Sequence, residues 1–124
     1  MKYSEYSVVI VGSGAAGLYA ALKISQQINL PEGVLLLTKS YLGNSNSFYA
    51  QGGIVGVLHQ NPEDCVEKHV EDTLTAGAGL SDRSTVEYIS EASDEVINDL
   101  IENGVDFDRN ADGELTFTLE AAHS

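Results

Sequence analysis

The stretch SVVIVGSGAAG, from Ser7 to Gly17, constrains the fold of this 124-residue chain more than any other. Its apolar part, Val8 to Val11, is a run of β-branched residues, which is typical of a strand buried on both faces of a parallel sheet. Glycines follow at once, and Ala15 to Gln27 then shows the spacing of a helix. A second apolar run, Val34 to Thr38, completes a βαβ unit.

The glycine spacing in this turn predicts a site for an anion. Gly12 permits a tight turn, Gly14 leaves no Cβ in the way of an approaching pyrophosphate, and Gly17 lets the helix pack close to the strand. The free N–H groups and the positive dipole end of the helix point at the same place. We therefore favour a dinucleotide site, and a strand-to-helix turn without a ligand is the alternative.

The residues after the second strand depart from the usual dinucleotide pattern. An Asp or Glu that bonds the ribose hydroxyls is common there, but this chain has Thr38 and Lys39. A cation at that point suits a phosphate or a ribose held in another way. Residues 40–53 are rich in Gly, Asn and Ser and predict a loop at the edge of the sheet where ligands collect. An ordinary connector is the alternative for this loop.

The middle of the chain predicts one short strand and one helix. Ile54 to Leu58 is expected to be the strand. Asn61-Pro62 is a good helix start, and the glycines at Gly77 and Gly79 should end that helix. This helix and the one that follows it in the chain are interpreted as structural.

A second helix and a hairpin are predicted for the rest. The helix follows Asp82, runs without interruption and closes at Asn103-Gly104. Its expected core stripe is Val86, Ile89, Ser93, Val96, Ile97 and Leu100. Val105 to Phe107 and Leu115 to Phe117 alternate around a turn, which predicts a β-hairpin.

Charge is distributed unevenly along the chain. The net charge is −13; residues 1–62 carry three cations and two acids, whereas residues 63–124 carry three cations and seventeen acids. Such an acidic half argues against nucleic acid and anionic membranes as partners, and solvated helix faces explain most of the acids. No apolar run is long enough for a transmembrane helix or a cleavable signal, so a cytoplasmic protein is expected.

Two metal hypotheses are weak. Cys65 and His69 would lie one helical turn apart, but they supply only two ligands, whereas a structural zinc site needs four. Asp108, Asn110 and Asp112 match positions 1, 3 and 5 of an EF-hand loop, yet position 12 is Leu119 instead of Glu. No metal is expected, and a non-enzymatic acidic calcium-binding module is kept as an alternative function.

Five motifs together resemble a known family: VGSGAAG, TKS, SNSFYAQGGI, HVEDTLTAGAGLSDR and LEAAHS. They are similar to the amino-terminal part of the L-aspartate oxidase family, within the succinate dehydrogenase and fumarate reductase flavoprotein superfamily. The resemblance implies an α/β fold: a Rossmann-like FAD-binding βαβ unit with parallel strands, followed by helices and a β-hairpin, in an incomplete domain. The expected parts are the βαβ unit and flavin loop in 1–60, two acidic helices in 61–104, and the hairpin with the start of a substrate motif in 105–124.

The same resemblance implies FAD as the cofactor. Members that link FAD covalently carry a histidine where this chain has Asn46, so the cofactor should be held non-covalently. The implied cofactor-binding residues are Gly12, Ser13, Gly14, Ala15, Ala16, Gly17, Lys39, Asn46, Ser47, Phe48, Tyr49, Ala50, Gln51, Gly52 and Gly53. Glu120 and His123 match substrate-binding positions, although Ala121-Ala122 replaces the usual pair of glycines.

The family reaction is the oxidation of L-aspartate to iminoaspartate, with hydride transfer to FAD and re-oxidation by oxygen or fumarate. It serves de novo NAD biosynthesis through quinolinate, which makes quinolinate synthase an expected partner. The family's catalytic arginine lies outside this sequence, so we expect no catalytic residue and no turnover in the 124-residue chain alone. A soluble fumarate reductase-like flavoprotein is the enzymatic alternative. A further alternative is a truncated domain that folds poorly and binds nothing.

Overall fold

The computed structural model describes residues 4–27, 29–50, 53–59, 61 and 64–119. The elements in chain order are β1 (Val8–Val11), α1 (Ala15–Gln27), β2 (Val34–Leu37), α2 (Asn46–Tyr49), α3 (Val66–Ala76), α4 (Arg83–Glu91) and α5 (Ser93–Glu102). They belong to two compact units, Met1–Gly53 and Ile54–Ser124. Among the described helices, none is long and apolar enough to cross a membrane.

The first unit is built on a parallel pair of strands. β1 and β2 align from Val8 opposite Val34 to Val11 opposite Leu37, and α1 connects them and packs on both. This is the predicted βαβ unit, and the α/β fold class is confirmed. The parallel arrangement brings the carboxyl ends of both strands to one edge, beside the start of α1.

Burial of β1 differs from the prediction. Val8 and Ile10 are half-buried, whereas Val9 is exposed and Val11 is 82% exposed. Successive side chains of a strand point to opposite faces, so those of β1 alternate between a half-buried and an exposed face. The expectation that both faces are buried was therefore wrong for the described chain.

The second unit has a small apolar core. Helix α3 packs against α4, and α4 packs against α5. The buried apolar residues described in this unit are Val57, Leu58, Val70, Val86 and Ile97. The three helices therefore share their core with the segment that precedes them.

That segment, Ile54 to Leu58, is not a strand, so the prediction there was wrong. The Val57 N–H donates to Ser93 Oγ at 2.9 Å, and the His59 N–H donates to Asp94 Oδ1 at 2.9 Å. Side chains of α5 thus satisfy backbone groups that would otherwise need a neighbouring strand.

Helix α3 begins later than Asn61-Pro62, which corrects the predicted start. Cys65 is the N-cap, with extended backbone angles, and its own N–H donates to Asp64 Oδ1 at 2.8 Å. Its carbonyl accepts the first helical bond, from His69 N–H. Pro62 lies outside the described residues. The helix ends at Gly77, as predicted.

The predicted continuous helix after Asp82 is two helices separated at Ala92. Ser93 Oγ lies 2.7 Å from the Ser90 carbonyl oxygen, to which it donates. Such side-chain bonds compete with the helical ladder, which gives a physical reason for the break. The predicted start after Asp82 is correct, because Asp82 accepts from Thr85 N–H at 2.9 Å as the N-cap.

The break also changes the expected core stripe. Val86 and Ile97 are buried as predicted, but Ile89 is exposed. The buried face of α4 consists of Val86 and Ser90, one turn apart, and Ile89 lies to the side of it.

The predicted hairpin is reduced to a single antiparallel bridge between Arg109 and Leu115. Asn110 Oδ1 accepts from the backbone N–H groups of Asp112 and Glu114, at 3.0 and 2.9 Å. This side chain closes a tight reversal, as asparagine does in turns. The turn was predicted correctly, but the flanking residues do not extend the pairing into strands.

Candidate functional site

The turn between β1 and α1 is the centre of the candidate site. Gly12 has φ +111°, which strongly favours glycine. Its N–H donates to the Leu37 carbonyl at 2.8 Å, so the turn is tied to the end of β2. The Gly14 carbonyl accepts from Leu18 N–H at 3.0 Å and starts the helix. The N-terminus of α1 therefore lies at the carboxyl edge of the sheet.

Close packing explains the glycine at Gly17. A Cβ there would overlap the carbonyl oxygen of Gly12 and would lie 3.6 Å from Ile10 Cγ2. The first turn of α1 approaches the strand more closely than a side chain allows. This contact holds the helix N-terminus over the turn.

A hydroxyl pair joins the two strand ends. Ser13 is only 4% exposed, and its Oγ lies 2.8 Å from Thr38 Oγ1. Lys39 is the next residue and is exposed. The pair was not predicted from the sequence, because no local spacing relates residues that follow two different strands. It positions the start of the loop that carries Lys39.

The loop predicted at 40–53 contains the short helix α2, which corrects that prediction. Ser45 is its N-cap, and Ser45 Oγ accepts from Phe48 N–H at 3.2 Å. A serine cap stabilises a helical turn. The polar composition of residues 40–53 shows no helical pattern, so this turn was not predicted.

Helix α2 is connected to α1 by one side chain. Ser47 Oγ accepts from Ala15 N–H at 3.1 Å, across 32 residues of sequence. A Cβ at Gly14 would lie 3.2 Å from the same oxygen, which is tighter than most real contacts. The glycine turn and the predicted flavin loop, identified separately in the sequence, are thus brought together. Sequence reasoning missed this contact.

The other residues of α2 are open to solvent. Phe48 and Tyr49 are exposed, with ring centroids 5.2 Å apart and planes at 88°. Asn46, Ala50 and Gly53 are also exposed. Four further predicted site residues lie outside the described part of the chain: Gln51, Gly52, Glu120 and His123.

Backbone N–H groups at the N-terminus of α1 can donate hydrogen bonds to a ligand. Ser47 occupies the Ala15 N–H, and within the described residues no acceptor is placed on the N–H groups of Ala16 and Gly17. Donors at a helix N-terminus, with the positive end of the dipole, favour an anion. Gly14 has no Cβ, and Ser47 Oγ borders the space where one would lie. The arrangement fits a diphosphate group.

Comparison with known families agrees with this geometry. A family model described as "FAD binding domain" matches residues 7–124. The chain belongs to the FAD binding domain family. The cofactor predicted from the sequence, FAD, is that of the family, and the donors at the start of α1 suit its diphosphate.

Individual relatives show which proteins of the family this chain resembles. The chain is 44% identical over 124 residues to an L-aspartate oxidase of Synechocystis sp., and 48% identical over 117 residues to one of Agrobacterium fabrum. These alignments cover 100% and 94% of this chain and 21% of each relative. The chain thus spans about a fifth of the length of these curated relatives. They confirm the resemblance to L-aspartate oxidases.

A solved structure shares the fold. The Mycobacterium smegmatis Sdh1 complex in the apo form matches with a TM-score of 0.85 and 28% identity, over 96% of this chain and 20% of that chain. The expected flavoprotein fold, of which this chain is one part, is confirmed.

The second unit has its own cavity of about 460 Å³. Val57 and Leu58 lie in its wall, together with His59, Cys65 and Glu91.

Within residues 4–119 as described, no group of three or more His, Cys, Asp or Glu side chains could hold a metal ion. On the side of the predicted calcium loop that the structure describes, no helix leads directly into Asp108, since α5 ends at Glu102 and residues 105–107 are not helical.

Proposed function

We propose that this chain forms the FAD-binding part of an oxidoreductase that oxidises L-aspartate to iminoaspartate. The observation that carries the proposal is the turn from Gly12 to Gly17, with N–H donors at the start of α1 that have no acceptor among the described residues, in a chain 44% identical to an L-aspartate oxidase. FAD, when bound, accepts the hydride from the substrate, and the protein supplies binding and orientation.

Most of the predicted site residues have a role in this proposal. The N–H groups of Ala16 and Gly17 bind the diphosphate, and Lys39 lies near the adenosine moiety. Residues 46–53 border the ribityl chain and the flavin. Glu120 and His123 help to orient the substrate. The Asn46 carboxamide is not a nucleophile, so it forms no covalent link to the flavin.

The proposal includes the wider role that the family resemblance implies. Oxygen or fumarate re-oxidises the flavin, and iminoaspartate passes to quinolinate synthesis in de novo NAD formation. Quinolinate synthase is the proposed protein partner. The catalytic arginine and the remaining substrate contacts are proposed to lie outside residues 1–124.

Flavin reduction tests the proposal. The protein is purified as its native gene encodes it, and the visible flavin absorbance is followed anaerobically after addition of L-aspartate or succinate. We expect L-aspartate to bleach the flavin absorbance and succinate to leave it unchanged. Bleaching by succinate alone would support the fumarate reductase-like alternative, and a protein that neither retains nor rebinds FAD would refute the assignment.

Two further measurements complete the test. Acid precipitation should release FAD into the supernatant, whereas a covalent flavin would stay with the protein. The 124-residue chain alone should produce no hydrogen peroxide from aspartate and added FAD. Measurable peroxide would show that the catalytic groups lie within this chain, contrary to the proposal.

A further inference from the structure

We propose that Ser47 is a positioning residue, whose hydroxyl holds α2 against the N-terminus of α1 before the cofactor binds. The inference rests on the proposed function for its consequence, the affinity for FAD. Its structural part concerns this chain alone.

The contact is placed where it can align two parts of one site. Ser47 Oγ accepts from Ala15 N–H, the first donor of α1. The next two donors, on Ala16 and Gly17, have no acceptor among the described residues. The hydroxyl thus occupies one donor and leaves its neighbours to an anion.

Packing alone does not hold α2 in this position. The helix has four residues, and none of them is buried. Ser45 caps the helix from within, but that bond does not reach α1. The Ser47–Ala15 bond joins the two helices, and Gly14 allows it because a Cβ would crowd Ser47 Oγ.

The consequence is preorganisation. A loop that must be ordered during binding weakens the affinity, because the lost conformational entropy opposes association. With Ser47 in place, part of that ordering has occurred in the free protein. Loss of the hydroxyl should leave α2 intact but no longer aligned with α1.

Hydrogen exchange of the cofactor-free protein tests the structural part. Ser47→Ala should accelerate exchange in peptides that contain Ala15 and leave exchange within residues 45–50 unchanged, and Ser47→Thr should restore the protection of Ala15. Ser45→Ala is the matched control, a serine two residues away. It should accelerate exchange at Phe48 and leave Ala15 unchanged.

FAD titration, followed by quenching of flavin fluorescence, tests the consequence. Ser47→Ala should weaken FAD binding about five-fold, the factor of a typical hydrogen bond, and Ser47→Thr should recover most of it. Gly14→Ala should mimic Ser47→Ala in exchange, and should add little further exchange in the Ser47→Ala background.

Unchanged exchange at Ala15 in Ser47→Ala would overturn the inference, as would a Ser47→Thr variant that behaves like Ser47→Ala in both measurements. A wild-type protein that binds no FAD would refute the proposed function instead. The exchange comparison would still decide whether Ser47 aligns α2 with α1.

Discussion

Replacement of Gly17 by alanine should separate α1 from the turn that precedes it. The added Cβ would overlap the carbonyl oxygen of Gly12 and would come within 3.0 Å of its carbonyl carbon. Both atoms belong to the backbone, so neither can rotate away as a flexible side chain would. The helix must move outward, and the donors of its first turn move with it.

Two opposing terms set the magnitude. Alanine is better than glycine in a helix by about 1 kcal/mol. Overpacking in a well-packed region costs roughly 1–3 kcal/mol, and a backbone clash should lie at the upper end of that range. The net expectation for Gly17→Ala is a loss of about 1–2 kcal/mol in the free energy of unfolding.

Urea unfolding followed by circular dichroism measures this loss, and FAD titration measures displacement of the donors. Gly53→Ala is the control for stability, since a Cβ there meets nothing within 4 Å, and its unfolding free energy should change by less than about 0.5 kcal/mol. A Gly17→Ala protein as stable as the wild type, with unchanged FAD affinity, would refute the packing argument.

Three further changes test other features. Gly12→Ala, at φ +111° with open space around it, should lose about 1–2 kcal/mol from backbone strain, measured by urea unfolding; an unaltered midpoint would contradict this. Ser93→Ala leaves the N–H of buried Val57 without its acceptor and should lose roughly 1–3 kcal/mol, measured by thermal unfolding against Ser4→Ala at an exposed position. Hydrogen bonds from Ser84, then from the Thr85 N–H, lower the pKa of Asp82 below its ordinary 3.8. Its cap is therefore fully present above about pH 4 and lost as the pH falls through the folded-state pKa; in Asp82→Asn this acid dependence should be absent from the unfolding curves.

The sequence alone determined the βαβ unit and the turn at its centre. Both depend on residues close together in the chain: a β-branched run, glycines at fixed spacing and a helical pattern behind them. The strand pairing and α1 followed from that local pattern, and the family followed from five motifs spread along the chain. The capped start of α4 at Asp82 and the end of α3 at Gly77 are likewise encoded by neighbouring residues.

Contacts between residues that are distant in the sequence became visible only in the folded chain. The bond from Ser47 to Ala15 and the Ser13–Thr38 pair link segments that no local spacing relates. Val57 takes its partner from Ser93, so Ile54 to Leu58 needs no strand, and the same serine accompanies the break at Ala92. The hydrogen-bond partner of such a side chain is fixed only when the helices and strands have packed together. These contacts therefore could not be predicted from the spacing of residues along the chain.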